Sequence, residues 1–462
     1  MAAVDEARIR ARKDRPDRKG RYVLYWMQQS QRAEDNPALA VAVVEANRRG
    51  LPVAVVFGLT DDYPEANLRH YAFLLEGLRE TFRALTDRGI RAAVRRGNPP
   101  EVALAAAADA VLLVCDAGYL AHQRAWRRMA AERFDGPVLE VEGDVVVPAR
   151  LASDKAEYAA RTFRPRIRRH LERFLGPMDD PDPEIDGRNL ELPGGPDMDP
   201  ETVPDDLDVD REIGPVSRFF RGGTREARRR FGDFLENRFH RYLENRNQPR
   251  TDATSGMSPY LHFGQISPVR LALEARRRRN DLPEAVDAFL EEMIVRRELA
   301  INYVLHTPGY DRYAALPDWA RKTLREHRDD PREHHYTLAE LAAAETPDPY
   351  WNAAMREMRI TGSMHNHMRM YWGKKILEWR NTPEHAFRAV LTLNNRYFLD
   401  GRDPNSFAGV AWIFGLHDRP WKERPIFGKV RCMTAGGLER KCDIRGYVDK
   451  VNSLENEAKS ER

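Results

Sequence analysis

The sequence predicts an α/β protein in which a doubly wound parallel sheet domain is followed by an all-helical domain. Residues 21–147 alternate short apolar runs with amphipathic helices, the pattern of parallel strands joined by helices. An acidic, proline-rich segment then runs from about residue 177 to 215, and the chain after it has helical periodicity. A chain of 462 residues also exceeds one ordinary core, so two or three domains are expected.

The predicted organisation has four parts. They are a basic N-terminal arm at 1–20, an α/β domain at 21–150, a connector at 151–215 that is acidic and proline-rich from about 177, and a helical domain at 216–462. Buried strands are predicted at 22–27, 53–59, 90–94, 111–115 and 138–141. No G-x-G-x-x-G or Walker-type loop follows the first strand. The sheet therefore either binds something other than a dinucleotide at the carboxyl ends of its strands or serves only as scaffold.

Charge is balanced overall but unevenly distributed. The chain has 75 basic and 72 acidic residues, a formal net charge of +3, yet residues 179–212 hold 14 acidic and two basic side chains, whereas 155–173 is basic. Basic surfaces with a detached acidic stretch suit binding of a polyanion. Three scattered cysteines are too few for a disulfide scaffold or a four-ligand zinc site and indicate a reducing compartment. Because no apolar run approaches the roughly 20 residues of a membrane span, we expect a cytoplasmic protein. We also expect a monomer.

Two segments of the helical region contain candidate site residues. The loop of Thr254, Ser255, Gly256, Met257 and Ser258 precedes a helix predicted to have Ser258 as its N-cap. Free N–H groups and hydroxyls there would suit a pyrophosphate, and a capped turn without a ligand is the alternative. The second segment, 291–298, places five charges in a helix with apolar flanks. Buried charges must be paired, so an internal ion-pair network and a catalytic carboxylate are the alternatives.

The stretch 366–412 concentrates aromatic and polar residues. A helix predicted at 366–379 places Trp372 and Trp379 on nearly the same face, roughly 10.5 Å apart along its axis, which suits a stacked core or electron hopping. The loop 400–405 then brings carboxylates, amides and a guanidinium close to these rings, where a polar cofactor edge could sit. His365 and His367 are two residues apart and are expected on different faces, so no metal site is predicted.

A basic, aromatic segment follows near the C-terminus. Its cations interleave with rings in the order Trp421, Lys422, Arg424, Phe427, Lys429, Arg431. Cations bind phosphate and exposed bases stack on rings, so this segment is a candidate nucleic-acid surface. Solvation of surface charges is the alternative.

Taken together, these motifs resemble the class II cyclobutane pyrimidine dimer photolyases, from about Arg21 to Val451. The most specific matches are T-S-G-M-S-P-Y-L-H-F-G-Q-I-S, M-R-M-Y-W-G-K-K-I-L-E-W and N-N-R-Y-F-L-D-G-R-D-P-N. The resemblance implies an N-terminal α/β domain and a C-terminal helical domain that binds FAD and DNA. It also implies light-driven repair of pyrimidine dimers in DNA, and an antenna chromophore, a deazaflavin or a folate, in the N-terminal domain.

The resemblance further implies roles for individual residues. Tyr242 and the Thr254–Ser258 loop would bind the FAD phosphates and ribityl chain, and Arg369 would pair with Asp400 beside the isoalloxazine, near Asp403. Asn394 would stand near flavin N5, where an amide can donate or accept a hydrogen bond. Glu292 would hydrogen-bond a carbonyl of the flipped-out dimer. The implied electron chain from the surface to the flavin is Trp372, Trp351 and Trp379.

The DNA side of the implied site differs from the family at one position. Many photolyases have a tryptophan immediately before the Arg-Glu pair of the 291–298 helix, and this chain has Arg296 there. Lesion stacking would then fall to Trp412 and Trp421, with Arg431 as a separate phosphate or gap contact. The other implied DNA contacts are Arg246, Asn247 and Lys429. Two rival functions are a cryptochrome-like photoreceptor and an adenine-nucleotide-binding protein using only the sheet.

Overall fold

The computed structural model describes residues 4–460, in which one six-stranded sheet is followed by a helical region. The strand order is β1-β6-β5-β2-β3-β4, and every neighbouring pair is parallel except β1 with β6. The strands are β1 (Ile9–Lys13), β2 (Tyr22–Trp26), β3 (Val53–Leu59), β4 (Arg91–Arg96), β5 (Ala110–Asp116) and β6 (Val138–Val141). The predicted fold class is confirmed.

Helices connect the strands and then form the rest of the chain. Those of the first part are α1 (Pro37–Arg49), α2 (Leu68–Asp87), α3 (Pro99–Ala106), α4 (Ala121–Arg133), α5 (Ala149–Ala152) and α6 (Ala160–Phe174). Those of the second part are α7 (Thr224–Asp233), α8 (Tyr242–Asn245), α9 (Ser258–His262), α10 (Pro268–Arg276), α11 (Pro283–Leu290), α12 (Arg297–His306), α13 (Asp318–Glu326), α14 (Leu338–Ala343), α15 (Pro349–Thr361), α16 (Asn366–Trp379), α17 (Pro383–Tyr397), α18 (Pro404–Ile413), α19 (Ala435–Lys441) and α20 (Ile444–Ser460). Two π-helical segments, Phe234–Arg238 and Glu291–Arg296, interrupt this series.

The central strands form because they are continuous apolar runs. Every residue of β2, β3 and β5 is buried, as expected of parallel strands covered by helices on both faces. The five predicted strands all occur, with β4 lying slightly later than expected. One apolar core then continues from the sheet into the helices as far as Leu299 and also includes Leu399, so the chain on both sides of residue 215 shares it.

The N-terminal segment differs from the predicted arm. Ile9–Lys13 form an edge strand that pairs antiparallel with β6, and Arg12 makes an ion pair of 2.6 Å with the buried Glu140. The basic composition of this segment gave no indication of a strand. Its Arg12 is neutralised by a carboxylate of the neighbouring strand. Residues 1–3 of the predicted arm lie outside the described residues.

The acidic connector is not detached, contrary to the sequence prediction. Residues 175–223 contain no helix or strand of their own, yet Met198 bridges to Val94 of β4. Acidic residues of this segment pair with arginines of α2 and β4: Glu201 with Arg79 and Arg83, Asp197 with Arg91 and Arg95, and Asp206 with Arg96. The connector therefore covers the edge strand β4 and neutralises its arginines.

The sheet meets the helical region at Gly264. This glycine has φ of +64°, and a Cβ there would lie 1.9 Å from the backbone oxygen of Gln29. Its own oxygen accepts a hydrogen bond of 3.0 Å from Arg32, which is paired with Asp144. The two halves thus approach so closely here that only glycine fits.

Gly264→Ala tests this close approach. An L-residue in the left-handed region costs roughly 1–2 kcal/mol, and overpacking adds roughly 1–3 kcal/mol. We expect the free energy of unfolding to fall by about 2 kcal/mol or more in denaturant titrations. Gly50→Ala is the matched control, because Gly50 has φ of +61° and a Cβ added there would meet no atom within 4 Å. Equal losses at both positions would contradict a steric constraint at Gly264.

Candidate active site

A cavity of about 930 Å³ opens in the helical region, between the Glu291–Arg296 segment, α16, α18 and the chain after Gly415. Nine of the predicted site residues line it: Tyr242, Arg246, Asn247, Thr254, Glu292, Arg369, Trp412, Trp421 and Arg431. The volume is at the upper end of cofactor and ligand sites. Residues distant in sequence, from Tyr242 to Arg431, therefore converge on one site.

Arg369 anchors one wall of this cavity. Its guanidinium lies 3.2 Å from Asp400 and donates to Asn394 Oδ1 at 2.7 Å and to Ser406 Oγ at 3.3 Å. It also lies 3.8 Å from the centroid of the Phe398 ring. The expected pair of Arg369 with Asp400 is therefore present, and it joins α16 to the ends of α17 and α18.

Asn394 lies behind Arg369, away from the lining of the large cavity. It is 2% exposed, and its amide donates to Asn395 Oδ1 at 2.9 Å and Ser406 Oγ at 3.0 Å. Both amide hydrogens are therefore used within the protein. The Oδ1 atom keeps one acceptor position beyond the bond from Arg369.

The charged run at 291–298 divides between the two alternatives. Glu291 makes a bidentate pair with Arg164, at 2.7 and 2.9 Å, and Glu298 is buried against backbone N–H groups of Val146 and Val147. Glu292 instead keeps half its side chain exposed in the cavity, 3.5 Å from Arg246. Burial raises the pKa of Glu298 to about 7. The run is thus an ion-pair network with one carboxylate left facing the site.

Two tryptophans and an arginine form the opposite wall. Arg431 lies over both indoles, 4.2 Å from the Trp421 centroid and 5.5 Å from that of Trp412. Asp418 holds this arrangement, since it accepts from Trp421 Nε1 at 3.2 Å and lies 3.4 Å from Arg431 Nε. Trp412 and Arg431, which are expected to have separate roles on DNA, are therefore in contact, and those separate roles stay a prediction. Behind this wall, the buried ammonium of Lys374 lies 5.3 Å from the Trp412 ring, and burial lowers its pKa to about 7.

The 254–258 loop is only partly at the cavity. Thr254 lines it, whereas Met257 is buried in the core, and Ser255, Gly256 and Ser258 are absent from its lining. Ser258 is the first residue of α9 and Met257 occupies the cap position without a side-chain hydrogen bond, so the predicted Ser258 cap is wrong by one residue. Local sequence could not distinguish these neighbouring positions because proline fits either of the first two helical positions.

Two other predicted residues also lie outside the cavity. Asp403 caps α18, accepting from Ser406 N at 2.6 Å, and faces a small separate cavity; burial raises its pKa to about 6. Lys429 is exposed on the surface, 4.0 Å from Glu423.

The three predicted tryptophans form a continuous row in the core. The Trp351 ring is stacked 6.5 Å from Trp372 and lies 5.4 Å from Trp379, so Trp351 stands between the pair that shares α16. All three are at most 3% exposed, so Trp379 does not itself reach the surface. The next ring outward is the half-buried Tyr336, 5.2 Å from Trp379, which the sequence analysis missed.

A second, smaller cavity of about 70 Å³ lies at the carboxyl ends of β2 and β3, the edge at which a parallel sheet is expected to bind a ligand. Gln28, Tyr63 and Gln123 are among its lining residues. Arg402 reaches it from the 400–405 loop; the side chain is 3% exposed and its Nη1 has no hydrogen-bond partner among residues 4–460. Burial lowers the pKa of Arg402 to about 10.

Sequence reasoning also missed several residues of the large cavity. Arg296, His365, Asn366, His367, Met370, Asn405, His417 and Cys432 line it. Arg296 had a signal at the position where the resemblance differs, and Met370 had one within a matching motif. Asn366 and Asn405, near the starts of α16 and α18, had a signal in the motifs that border them; the others had none. His365 caps α16 through Nδ1. Within residues 4–460, no group of three or more His, Cys, Asp or Glu side chains could hold a metal, and no helix has the length and apolar character to cross a membrane.

Comparisons with known proteins agree with this architecture. A family model described as DNA photolyase matches residues 23–186. A deoxyribodipyrimidine photo-lyase of Methanothermobacter thermautotrophicus is 50% identical over 96% of this chain and 97% of its own length. Proteins of the same name from Arabidopsis thaliana and Potorous tridactylus are 41% and 37% identical, over 95% and 93% of this chain and 90% and 81% of theirs.

Solved structures show the same fold at low sequence identity. A class III photolyase from Agrobacterium tumefaciens superposes with a TM-score of 0.69 at 19% identity, over 94% of this chain and 87% of its own. A cryptochrome from Synechocystis has a TM-score of 0.67 at 15% identity, over 95% and 99%. These two likenesses concern the fold alone. Identity of 37–50% across almost the whole chain carries the assignment: this chain belongs to the DNA photolyase family.

Proposed function

We propose that this protein is a class II photolyase that splits cyclobutane pyrimidine dimers in DNA, using light and reduced FAD. The observation that carries the proposal is the large cavity, which is lined by the half-exposed carboxylate of Glu292, an aromatic wall and Arg369. The names of the related proteins favour the enzyme over the photoreceptor alternative. The free cysteines agree with the expected cytoplasmic location, and a monomer remains the expectation.

FAD fits the donors and the volume of this cavity. When bound, reduced FAD supplies the electron that opens the dimer. Tyr242 and Thr254 would contact its phosphates and ribityl chain from one side, with Ser255, Gly256, Met257 and Ser258 following in the same loop. Arg369, which is paired with Asp400, would direct its guanidinium N–H groups to the ring system. Asp403 would hold the start of α18 in place.

Asn394 would act on the polar edge of that ring system. Because its two amide hydrogens are already donated, the free position of Oδ1 is suited to accept a hydrogen bond. The neighbouring guanidinium of Arg369 fixes this orientation. Asn394 would therefore hold a proton-bearing nitrogen, as reduced FAD presents at N5.

Glu292 would act on the lesion. Among the carboxylates of the 291–298 run it alone lines the cavity, where it pairs with Arg246 at 3.5 Å. A protonated carboxyl could donate to a thymine carbonyl, or a carboxylate could accept from a base N–H. Either bond would hold the dimer and stabilise charge as the ring opens.

The opposite wall would receive the flipped lesion. Trp412 and Trp421 offer apolar faces, and the Arg431 guanidinium between them adds charge that attracts phosphate or a carbonyl. Arg246, Asn247 and the exposed Lys429 would contact DNA around the opening. Extrusion costs less for a dimer than for an intact pair, because damage has already weakened the stack.

The small cavity at the sheet edge is the proposed antenna site. Its aromatic and amide lining would stack on and hydrogen-bond part of a deazaflavin or a folate, and its volume of about 70 Å³ admits only part of such a ligand. The unpaired guanidinium of Arg402 favours an anionic edge on that ligand, since a buried cation is costly without a partner. The same loop carries Asp400, which bonds to Arg369 on the flavin side, so the loop would connect the two proposed sites.

The proposed activity is tested with purified protein and a duplex containing one pyrimidine dimer. We expect bound FAD, and dimer loss that requires both light and the reduced flavin. Glu292→Ala should lower the repair yield at least about tenfold, since a lost hydrogen bond to a charged group is worth roughly 1.5–3 kcal/mol. Glu292→Gln should lose less, because the amide keeps hydrogen-bonding capacity.

Glu291→Gln is the matched control for these variants. It removes the same charge from the adjacent position, where the carboxylate pairs with Arg164 outside the cavity. Repair should stay near the wild-type yield in this variant. Light-independent dimer loss would contradict the proposed activity. Wild-type yields in both Glu292 variants with folding intact would contradict the proposed role of Glu292.

Trp351→Phe tests the row of tryptophans. The Trp351 ring bridges Trp372 and Trp379, so its replacement should block light-driven reduction of oxidised FAD from outside the protein. Repair should continue when FAD is reduced chemically beforehand, because the repair cycle returns its electron. Trp319→Phe, which removes an indole of the same core outside the row, should reduce FAD at the wild-type rate. Wild-type photoreduction in Trp351→Phe would show that electrons take another path.

A further inference from the structure

Helix α6 has an excess of arginine that its internal contacts use only in part. It carries six arginines and one glutamate. Three arginines are paired with carboxylates of other segments: Arg164 with Glu291, Arg166 with Glu157 and Arg173 with Asp5. The remaining three are Arg161, Arg168 and Arg169. All three are exposed, and within residues 4–460 no carboxylate lies within 4.0 Å of them.

The unpaired arginines lie on the outer side of the helix. Arg161 and Arg168 are seven residues apart, which places them on nearly the same face and roughly 10.5 Å apart along the axis. Arg169 follows directly, and the exposed Lys155 precedes the helix. Three connector carboxylates, those of Asp197, Glu201 and Asp206, are committed to α2 and β4 and so do not neutralise this face.

The start of α6 borders the large cavity. Tyr158, which is 56% exposed, donates its hydroxyl to the backbone oxygen of Asp418 at 3.2 Å. Asp418 in turn holds Trp421 and Arg431 of the cavity wall. Arg164, which lies between Arg161 and Arg168 on the helix surface but is half-buried, pairs with Glu291, and Glu291 also lies 3.5 Å from Arg296 of the cavity. The chain before α6 and Arg164 within it are thus both linked to the wall of the cavity.

We propose that this face of α6 binds the phosphate backbone of the duplex that flanks the lesion. The proposal rests on the proposed function and extends its DNA contact onto the connector. Phosphates of one strand are spaced 3.4 Å along the duplex axis, so roughly 10.5 Å of helix spans about three of them. Guanidiniums without a protein partner are suited to such contacts, since they gain phosphate without losing an existing pair.

The test compares two variants that each lose two positive charges. Arg161→Gln/Arg168→Gln alters the proposed surface, and Lys19→Gln/Arg128→Gln alters exposed cations of the α/β domain that do not line the cavity. Binding to a damaged and an undamaged duplex of about 30 base pairs is titrated at several salt concentrations. The α6 variant should lower the slope of log affinity against log salt by about 1.8 for both duplexes. The control variant should change it by less than half of that.

A short substrate separates this surface from the cavity. Light-driven splitting of a dimer-containing dinucleotide should be unchanged in the α6 variant, because no flanking duplex is present. If the α6 variant folds and repairs like the wild type but its salt slope is unchanged, the α6 contact alone is overturned. An acidic protein would then be the partner to test for this face. Absence of dimer splitting in the wild type would overturn the proposed function itself. Should the double variant unfold, Arg168→Gln alone must lower the slope by about 0.9 for the proposal to stand.

Discussion

The ion pair between Arg369 and Asp400 is the contact on which the site depends most. The guanidinium of Arg369, on the first turn of α16, bonds to three side chains. They are Asp400, three residues after the end of α17, Asn394 within α17 and Ser406 of α18. Both partners have side chains less than one fifth exposed, so loss of either leaves a poorly solvated charge. The three helices that this pair joins carry Trp372 and Trp379 of the row, the buried amide of Asn394 and Trp412 of the aromatic wall. Their relative positions therefore depend on one arginine.

Acidic and basic side chains pair with each other on one side of the protein, whereas arginines are left unpaired on another. The acidic connector pairs with arginines of α2 and β4. On α6, Arg161, Arg168 and Arg169 have no carboxylate within 4.0 Å among residues 4–460. A net charge of only +3 thus hides a surface with a strongly basic region, which is what attraction of a polyanion requires.

Much of this arrangement was predictable from sequence where the signal is local. The strands were identified because parallel strands are continuous apolar runs, and α16 was expected at 366–379, where it occurs. The pairing of Arg369 with Asp400 followed from the resemblance. Local pattern could not reveal that Trp351, 21 residues before Trp372, enters between two tryptophans of another helix, because only tertiary packing brings it there. It also missed the edge strand Ile9–Lys13, in which Arg12 is neutralised by the distant Glu140, and the contact of Arg431 with Trp412.

The most direct test of the central contact is a double-mutant cycle on FAD affinity, with Arg369→Gln, Asp400→Asn and the double variant. If the ion pair organises the flavin site, each single variant will weaken FAD binding and the double variant will be no weaker than the worse single one. The coupling free energy between the two residues should then be about 1 kcal/mol or more, as for residues in direct contact. Losses that simply add would contradict the account, because they would show that the two residues contribute to the site independently.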